Sequence, residues 1–385
     1  MMHVALMLPG LDVLGGAESQ VLQLAFSLHK RGRRVTVIAL SGTGDAAATE
    51  LAKSGIDFLT LRMRKGLADP MGWFRLARWV HRHRPHILHA HLPHAAWMAR
   101  WSRLLSPVPV VLDTIHNSAW TSVGRRLGYR CSDSLADAVT AVSPGAAQAS
   151  IDAGVVLPER LMIIPNGIDT QHWRPSPHSE RITLRARLGI RNEFLWLAAG
   201  RLESVKNFSS LLDAFVTLSP ESRLVIAGTG RLADPLSAQI RRLGMDNRAC
   251  LLGFRQDMLS WMQVADGFVL PSLGEGLPMV LLECGACALP AVATDVPGCQ
   301  DVIVHGKTGL LASTPGSSAL AHTMRTFMDL DPLTRQRMGA DARMHIQSRF
   351  ELETIVDQWE ALYDRLIHSR EPVAYVATLD SRARS

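Results

Sequence analysis

Pro271-Ser-Leu-Gly-Glu-Gly-Leu-Pro-Met-Val-Leu-Leu-Glu283 is the stretch that decides how this chain reads. The apolar run Gly267-Phe-Val-Leu270 leads into it as a strand, and Pro-Ser-Leu-Gly breaks that strand into a turn. Pro278 is suited to the start of a helix, which places Glu275 on the loop and Glu283 inside the helix. Eight steps of roughly 100° would leave the two carboxylates about 80° apart on one continuous helix. With one on the loop and one on the helix, both can face a ligand lying across the helix start. The N–H groups around Gly276, Leu277 and Met279 are expected to point at that ligand, and glycine lets its backbone approach closely. Carboxylates accept from vicinal hydroxyls, so this pair suits a sugar and a ribose.

Just upstream, Leu195-Trp-Leu-Ala-Ala199 reads as a buried strand, and Arg201 and Lys206 flank the loop at its end. Two cations there can neutralise a diphosphate as charge grows on departure. Leu224-Val-Ile-Ala-Gly-Thr-Gly230 repeats the strand-then-glycine pattern, and Leu251-Leu-Gly-Phe-Arg-Gln-Asp257 follows it. Pro290–Thr294 and Gly309–Leu311 complete a second α/β unit.

The first half opens the same way. Val4–Leu8 is apolar, Gly15-Gly16-Ala-Glu18 leads into a helix, and Arg33–Leu40 is the next strand. A glycine turn at the carboxyl end of a first strand is where phosphate ligands sit in open α/β sheets. Gly-x-Gly-x-x-Gly is absent, which removes the main support for a nicotinamide cofactor. His116 follows the strand Val108–Thr114 and is expected at the sheet's carboxyl edge, facing an interdomain cleft. Trp120, Arg125 and Arg126 come next and are expected to line an acceptor groove, with the indole stacking on a sugar. Arg174-Pro-Ser-Pro-His-Ser-Glu180 reads as a linker.

Several motifs together resemble one family. Glu275, seven residues and Glu283 within Ser-Leu-Gly-Glu-Gly-Leu-Pro look like the donor motif of retaining glycosyltransferases of family 4. Gly-Arg-Leu with Lys206-Asn, Ile163-Ile-Pro-Asn-Gly-Ile-Asp169 and Gly-Gly-Ala-Glu stand in the family's order. The resemblance implies an α/β chain of the GT-B class, two doubly wound Rossmann-like domains with the site in the cleft. Residues 1–175 would form the acceptor side and 181–350 the donor side. A helix near 352–369 would cross back onto the first domain, and 372–385 would be a disordered tail.

The resemblance also implies roles. Glu283 takes the ribose hydroxyls, and Glu275 takes the donor sugar with the amides of Gly276 and Leu277 beside it. Arg201 and Lys206 hold the diphosphate. Gly253, Phe254 and Arg255 lie nearest the base, and Gly15 and Gly16 reach toward the donor phosphates. His116 approaches the donor sugar, although Asn117 stands where the family usually has an acidic residue. The implied activity is hexosyl transfer, with retention, from a nucleotide-diphosphate sugar to a glycan or lipid-linked hydroxyl in cell-surface polysaccharide, exopolysaccharide or lipopolysaccharide synthesis. The donor is a substrate, and no cofactor is expected. The alternative is a nucleotide-sugar-binding protein of this fold without transferase activity.

Composition agrees with a folded protein of two domains: 385 residues, 47% hydrophobic and 20% charged. No apolar run approaches the 18 or so residues of a membrane span, and Met-Met-His-Val-Ala-Leu reads as a first strand, not a leader. Five scattered cysteines fit a reducing cytoplasm. Cys284 and Cys287 form a lone Cys-x-x-Cys on the apolar helix that carries Glu283. Metal is not expected. Asp329-Leu-Asp331 falls at a helix end, and His89 and His91 lack a third ligand.

The charge of +6 is uneven: through residue 175 there are 19 Lys and Arg against 12 Asp and Glu. Trp73, Arg75, Arg78, Trp79 and Arg82 lie on one basic, aromatic helix whose apolar spacing is Phe74, Ala77, Val80. That helix predicts peripheral contact with an anionic membrane, at its cytoplasmic face. Nucleic acid is not expected, because basic and aromatic residues do not interleave on strands.

Overall fold

The computed structural model describes residues 1–12, 15–64, 69–116, 120 and 123–368, without the side chain of Arg125. Two compact units divide the chain. The first holds Met1–Asn166 and returns at Glu353; the second is Gly167–Leu352.

Seven strands build the first sheet: β1 (His3–Leu8), β2 (Arg34–Ala39), β3 (Asp57–Thr60), β4 (Ile87–His91), β5 (Val110–Ile115), β6 (Ala138–Ala141) and β7 (Leu161–Ile163). Every pairing is parallel, in the order β3-β2-β1-β4-β5-β6-β7. From β1 the chain moves outward to β3, then jumps back to β4 and moves the other way. Right-handed crossovers in opposite directions put helices on opposite faces, so strands such as His3–Leu8 are buried along their whole length.

The second sheet repeats the plan with β8 (Phe194–Ala199), β9 (Ser222–Ala227), β10 (Ala249–Gly253), β11 (Gly267–Leu270), β12 (Ala291–Thr294) and β13 (Gly309–Ala312). Its order is β10-β9-β8-β11-β12-β13, again all parallel. Trp196, Phe208, Phe215 and Phe327 are fully buried in its core. Each sheet therefore has one reversal of strand order, between β1 and β4 and between β8 and β11. Loops diverge there, which leaves a crevice at the carboxyl ends.

From Glu353 onward the helix Leu352–His368 belongs to the first unit. Ile355, Val356, Trp359, Leu362 and Tyr363 recur at helical spacing and are buried. Arg31 meets Glu353, Asp357 and Glu360 at 2.6, 2.6 and 2.7 Å, and Arg33 meets Glu360 at 2.7 Å. The unit boundary lies nine residues before 175. Ile168 donates to Phe350 and accepts from Leu352, which ties the segment after Asn166 to the second unit. Within the expected linker, His178 already starts the helix His178–Arg187.

Several helices went unread in the sequence, Asp45–Lys53 and Val123–Cys131 among them. Asp45–Lys53 buries only Ala47 and Leu51 and has no side-chain cap, so its periodicity is thin. Val123–Cys131 takes up Arg125 and Arg126, expected to line an acceptor groove. The basic, aromatic helix is Pro70–His83, and its inner face differs from the expected one, with Gly72, Leu76 and Val80 buried and Phe74 58% exposed. The expected tail 372–385 lies outside the described residues, as does Asn117.

Candidate functional site

In the second unit the loops after β8 and β11 leave neighbouring strands at the reversal point. Gly200 N donates to Ala227 O and Leu202 N to Thr229 O, which pins the first loop along the end of β9. A Cβ on Gly228 (φ +142°) would come 1.9 Å from Gly200 O, so only glycine permits that approach. Ser204–Lys206 then forms one 3₁₀ turn, and Leu273 N donates to Val205 O at 2.8 Å, tying the two loops together. Lys206 Nζ consequently lies 2.5 Å from Glu275 Oε1. Ser272 Oγ donates to the same oxygen at 2.6 Å, and Thr294 Oγ1 donates to the Ser272 carbonyl. Ser272 and Thr294 are fully buried, so the Glu275 carboxylate is held from behind by rigid groups.

Glu275 is on the loop and Glu283 within the helix Met279–Ala286, as the Pro278 reading requires. Gly276 and Leu277 are buried, and a Cβ on Gly298 (φ +85°) would crowd the Gly276 carbonyl at 2.7 Å. Glu283 is half-buried, and its carboxylate makes no hydrogen bond or ion pair among the described residues. Burial pushes its carboxyl up to about 7. Hydroxyls donating to it would favour the ionised form and pull that value down. Arg201 is exposed on the β8 loop. At the edge of the sheet Gly253 (φ +69°) ends β10, Phe254 is 66% exposed, and Arg255 is held by Asp257 at 2.6 Å. The thiols of Cys284 and Cys287 are buried, the second pushed up to about 12 by burial, which makes them inert packing groups.

In the first unit the reversal point lies between the ends of β1 and β4. Gly15 and Gly16 open the helix Gly16–Lys30 there, but the Gly15 amide donates to Glu18 Oε2 at 3.1 Å. A carboxylate of the chain itself therefore occupies part of the anion-seeking helix start. His116 follows β5 and is half-buried, with Nε2 2.9 Å from His91 Nδ1. Burial lowers its pKa to about 4, so the ring is neutral at pH 7. His89 is bonded at both nitrogens, to Tyr363 Oη and Thr114 Oγ1 at 2.7 Å each, so it has no lone pair left for a metal. Trp120 is engaged within the fold. Its indole N–H donates to Ser150 Oγ at 3.0 Å, and its ring meets Tyr129 edge-on. Arg126 is half-buried on its helix, and the side chain of Arg125 is outside the described residues.

Glu18, His91, Ser272 and Thr294 support these groups, and the sequence reading gave none of them that work. Glu18 carried a signal, a glutamate three residues after the helix-opening glycine, as in a capping box.

A family model for glycosyl transferases group 1 matches residues 180–345, and one for glycosyltransferase family 4 matches residues 14–172. The UDP-Gal:α-D-GlcNAc-diphosphoundecaprenol α-1,3-galactosyltransferase of Escherichia coli is 27% identical over 72% of this chain and 74% of its own. A Campylobacter jejuni 4-α-N-acetylgalactosaminyltransferase acting on N-acetylgalactosamine-N,N'-diacetylbacillosaminyl-diphospho-undecaprenol is 27% identical over 52% of this chain and 53% of its own. The solved structure of Anabaena HepE in complex with UDP-glucose aligns with a TM-score of 0.82 and 25% identity, over 94% of this chain and 99% of that one. With both family models in sequence order and two parallel Rossmann-like sheets beneath them, the chain belongs to the group 1, family 4 glycosyltransferases of GT-B fold.

Proposed function

We propose that this glycosyltransferase moves a hexose from a nucleotide-diphosphate sugar to a hydroxyl of a glycan or lipid-linked acceptor. The anomeric configuration is retained, and the work belongs to cell-surface polysaccharide, exopolysaccharide or lipopolysaccharide synthesis. The observation that carries this reading is the Lys206–Glu275 pair at the strand-order reversal of the second sheet. A cation for a leaving diphosphate and a carboxylate for sugar hydroxyls stand side by side, with Glu283 on the following helix for the ribose. Arg201 adds a second, solvent-facing cation, and Gly253 and Phe254 border the base. With two cations of its own, the site has the charge to stabilise a departing pyrophosphate without a metal. Catalysis is then leaving-group stabilisation and positioning, with His116 shaping the sugar pocket.

UDP, GDP and ADP and their hexose conjugates should be screened by thermal shift. One nucleotide class is expected to raise Tm, and the same donor should release its diphosphate when acceptor is added. A stable protein whose Tm none of them moves would overturn the reading. Product NMR then decides the anomeric outcome.

The same reading places the enzyme in the cytoplasm, against the inner face of the membrane. No helix among the described residues is long and apolar enough to cross a bilayer. Residues 62–130 carry 12 Lys and Arg against two Asp. Met71, Phe74, Arg75, Arg78 and Arg82 form one exposed stripe of the helix Pro70–His83. Exposed Leu104 and Leu105 follow the helix Pro93–Ser102, and Leu105 lines a shallow groove with Trp73 and Phe74. Trp79, expected on the lipid side, instead packs edge-on against His3 and His83. Phe74 is the aromatic that faces out. The protein is expected to pellet with phosphatidylglycerol vesicles at low salt and not with phosphatidylcholine. The double variant Arg75→Glu/Arg78→Glu should stay in the supernatant. No pelleting of the wild type would remove the membrane reading.

A further inference from the structure

The carboxyl ends of β4 and β5 hold a chain of side chains whose hydrogen-bond directions can be worked out. Thr140 Oγ1 donates to the Asp113 carbonyl, which can only accept. Its neighbour Thr114, 2.8 Å away, must then donate to Thr140, and accepts from His89 Nε2–H. His89 Nδ1 is left as the acceptor for the Tyr363 hydroxyl, from the helix Leu352–His368. Every proton in that run has one place to go.

His91 lies two residues further along the same strand, its ring centroid 4.0 Å from that of His89. It shares one proton with His116 across 2.9 Å, and its own Nε2 is buried without a partner among the described residues. Neutral rings admit two arrangements. If His116 Nε2–H donates, His91 must carry its proton on Nε2, a sealed N–H with no acceptor. If His91 Nδ1–H donates, the sealed atom is a bare lone pair. Orphaned buried N–H groups are the rarer and costlier case, so the second arrangement is favoured. His116 Nε2 is then the acceptor, and the His116 proton sits on Nδ1. That atom has no partner among the described residues, and the ring is half-buried, not sealed.

We propose that His91 is a positioning residue that holds His116 as the Nδ1–H tautomer, so that His116 offers a hydrogen-bond donor to a substrate oxygen and not a base. This rests on the reading of His116 as part of the sugar pocket, but the tautomer itself does not. The donor matches a hydroxyl or ring oxygen of the transferred sugar. Burial keeps both rings neutral at pH 7, so the donor does not switch off with small pH changes.

Long-range ¹H–¹⁵N spectra of histidine-labelled protein test it without any substrate, with His116 assigned by loss of its signals in His116→Gln. The expected pattern is a protonated Nδ1 and a bare Nε2 at pH 7. A protonated Nε2, or a rapid average of the two forms, overturns the proposal. His91→Asn keeps an amide where Nδ1 stands, whereas His91→Leu removes the partner. With a donor in hand, His91→Leu should lower kcat about tenfold, with KM for the donor and its thermal shift unchanged. His91→Asn should recover most of that loss. If His91→Leu proves unstable, the wild-type spectrum and the His91→Asn kinetics still decide. A correct tautomer together with wild-type kcat in a folded His91→Leu would refute the positioning role of His91. No nucleotide shift at all would refute the transferase reading and leave the tautomer standing.

Discussion

Lys206→Ala is expected to slow turnover roughly 10²–10³-fold, the cost of removing one preorganised charge donor aimed at a developing anion. The side chain is held for that role. Its stem lies over Gly200, where an added Cβ would be 3.4 Å from Cε, and its ammonium is fixed by Glu275 at 2.5 Å. The charge is thus placed before a donor arrives and costs no reorganisation at the moment of reaction. If the charge acts mainly in the transition state, kcat and kcat/KM should fall together; a rise in KM alone would mean uniform binding. Lys206→Arg keeps the charge but brings a planar fork on a different stem, so it should recover only part of the rate. Turnover of Lys206→Ala within a few-fold of wild type sinks the diphosphate assignment. Because Lys206 also neutralises Glu275, the loss should exceed that of Arg201→Ala, whose side chain is exposed.

The largest stability effect is expected in the first unit. Asp113 and Arg100 are both fully buried, and Arg100 Nε donates to Asp113 Oδ1 at 2.8 Å. Arg100 also donates to the Tyr129 carbonyl at 2.9 Å, and its guanidinium lies 3.9 Å over the Tyr129 ring, whose hydroxyl bonds the second oxygen of Asp113. Burial pushes the Asp113 carboxyl up and Arg100 opposes it. Asp113→Ala leaves a guanidinium uncompensated in the core and should cost roughly 3–5 kcal/mol. Replacing both partners, Asp113→Leu with Arg100→Leu, removes the stranded charge and should cost clearly less than the single change. Urea midpoints of the transition that reports the first unit decide it, since a chain of two units need not unfold in one step. A single-variant loss under about 1 kcal/mol would mean that water reaches this pair, contrary to its burial. Asp113 lies on β5, three residues before His116, so the cluster also fixes the base from which the candidate pocket residue projects.

Much of the fold was legible because it is written in local patterns. Apolar runs of four to six residues, each closed by a glycine or proline turn and followed by a helical period, leave a parallel sheet as the only way to bury both faces. Elements with thin patterns were lost. The helix Asp45–Lys53 buries two side chains, and His178 begins a helix within a Pro- and Ser-rich stretch that reads as linker. The placement of Glu275 on a loop and Glu283 on a helix was legible because its turn and helix-start signals lie close together in the chain. The inner and outer faces of the helix Pro70–His83 were not, because Phe74, Ala77 and Val80 and the true buried set Gly72, Leu76 and Val80 both fit a helical spacing.

The amino-acid sequence alone thus determined two repeats of strand, turn and helix and the identity of the charged groups at their carboxyl ends. These depend on local periodicity and turn chemistry. Only the tertiary structure decided which of those groups meet: Lys206 with Glu275 across 69 positions, Tyr363 with His89 across 274, and His116 with His91 across 25. Strand order sets such encounters, and strand order is fixed by crossover handedness and burial over the whole unit, which no short window of sequence contains.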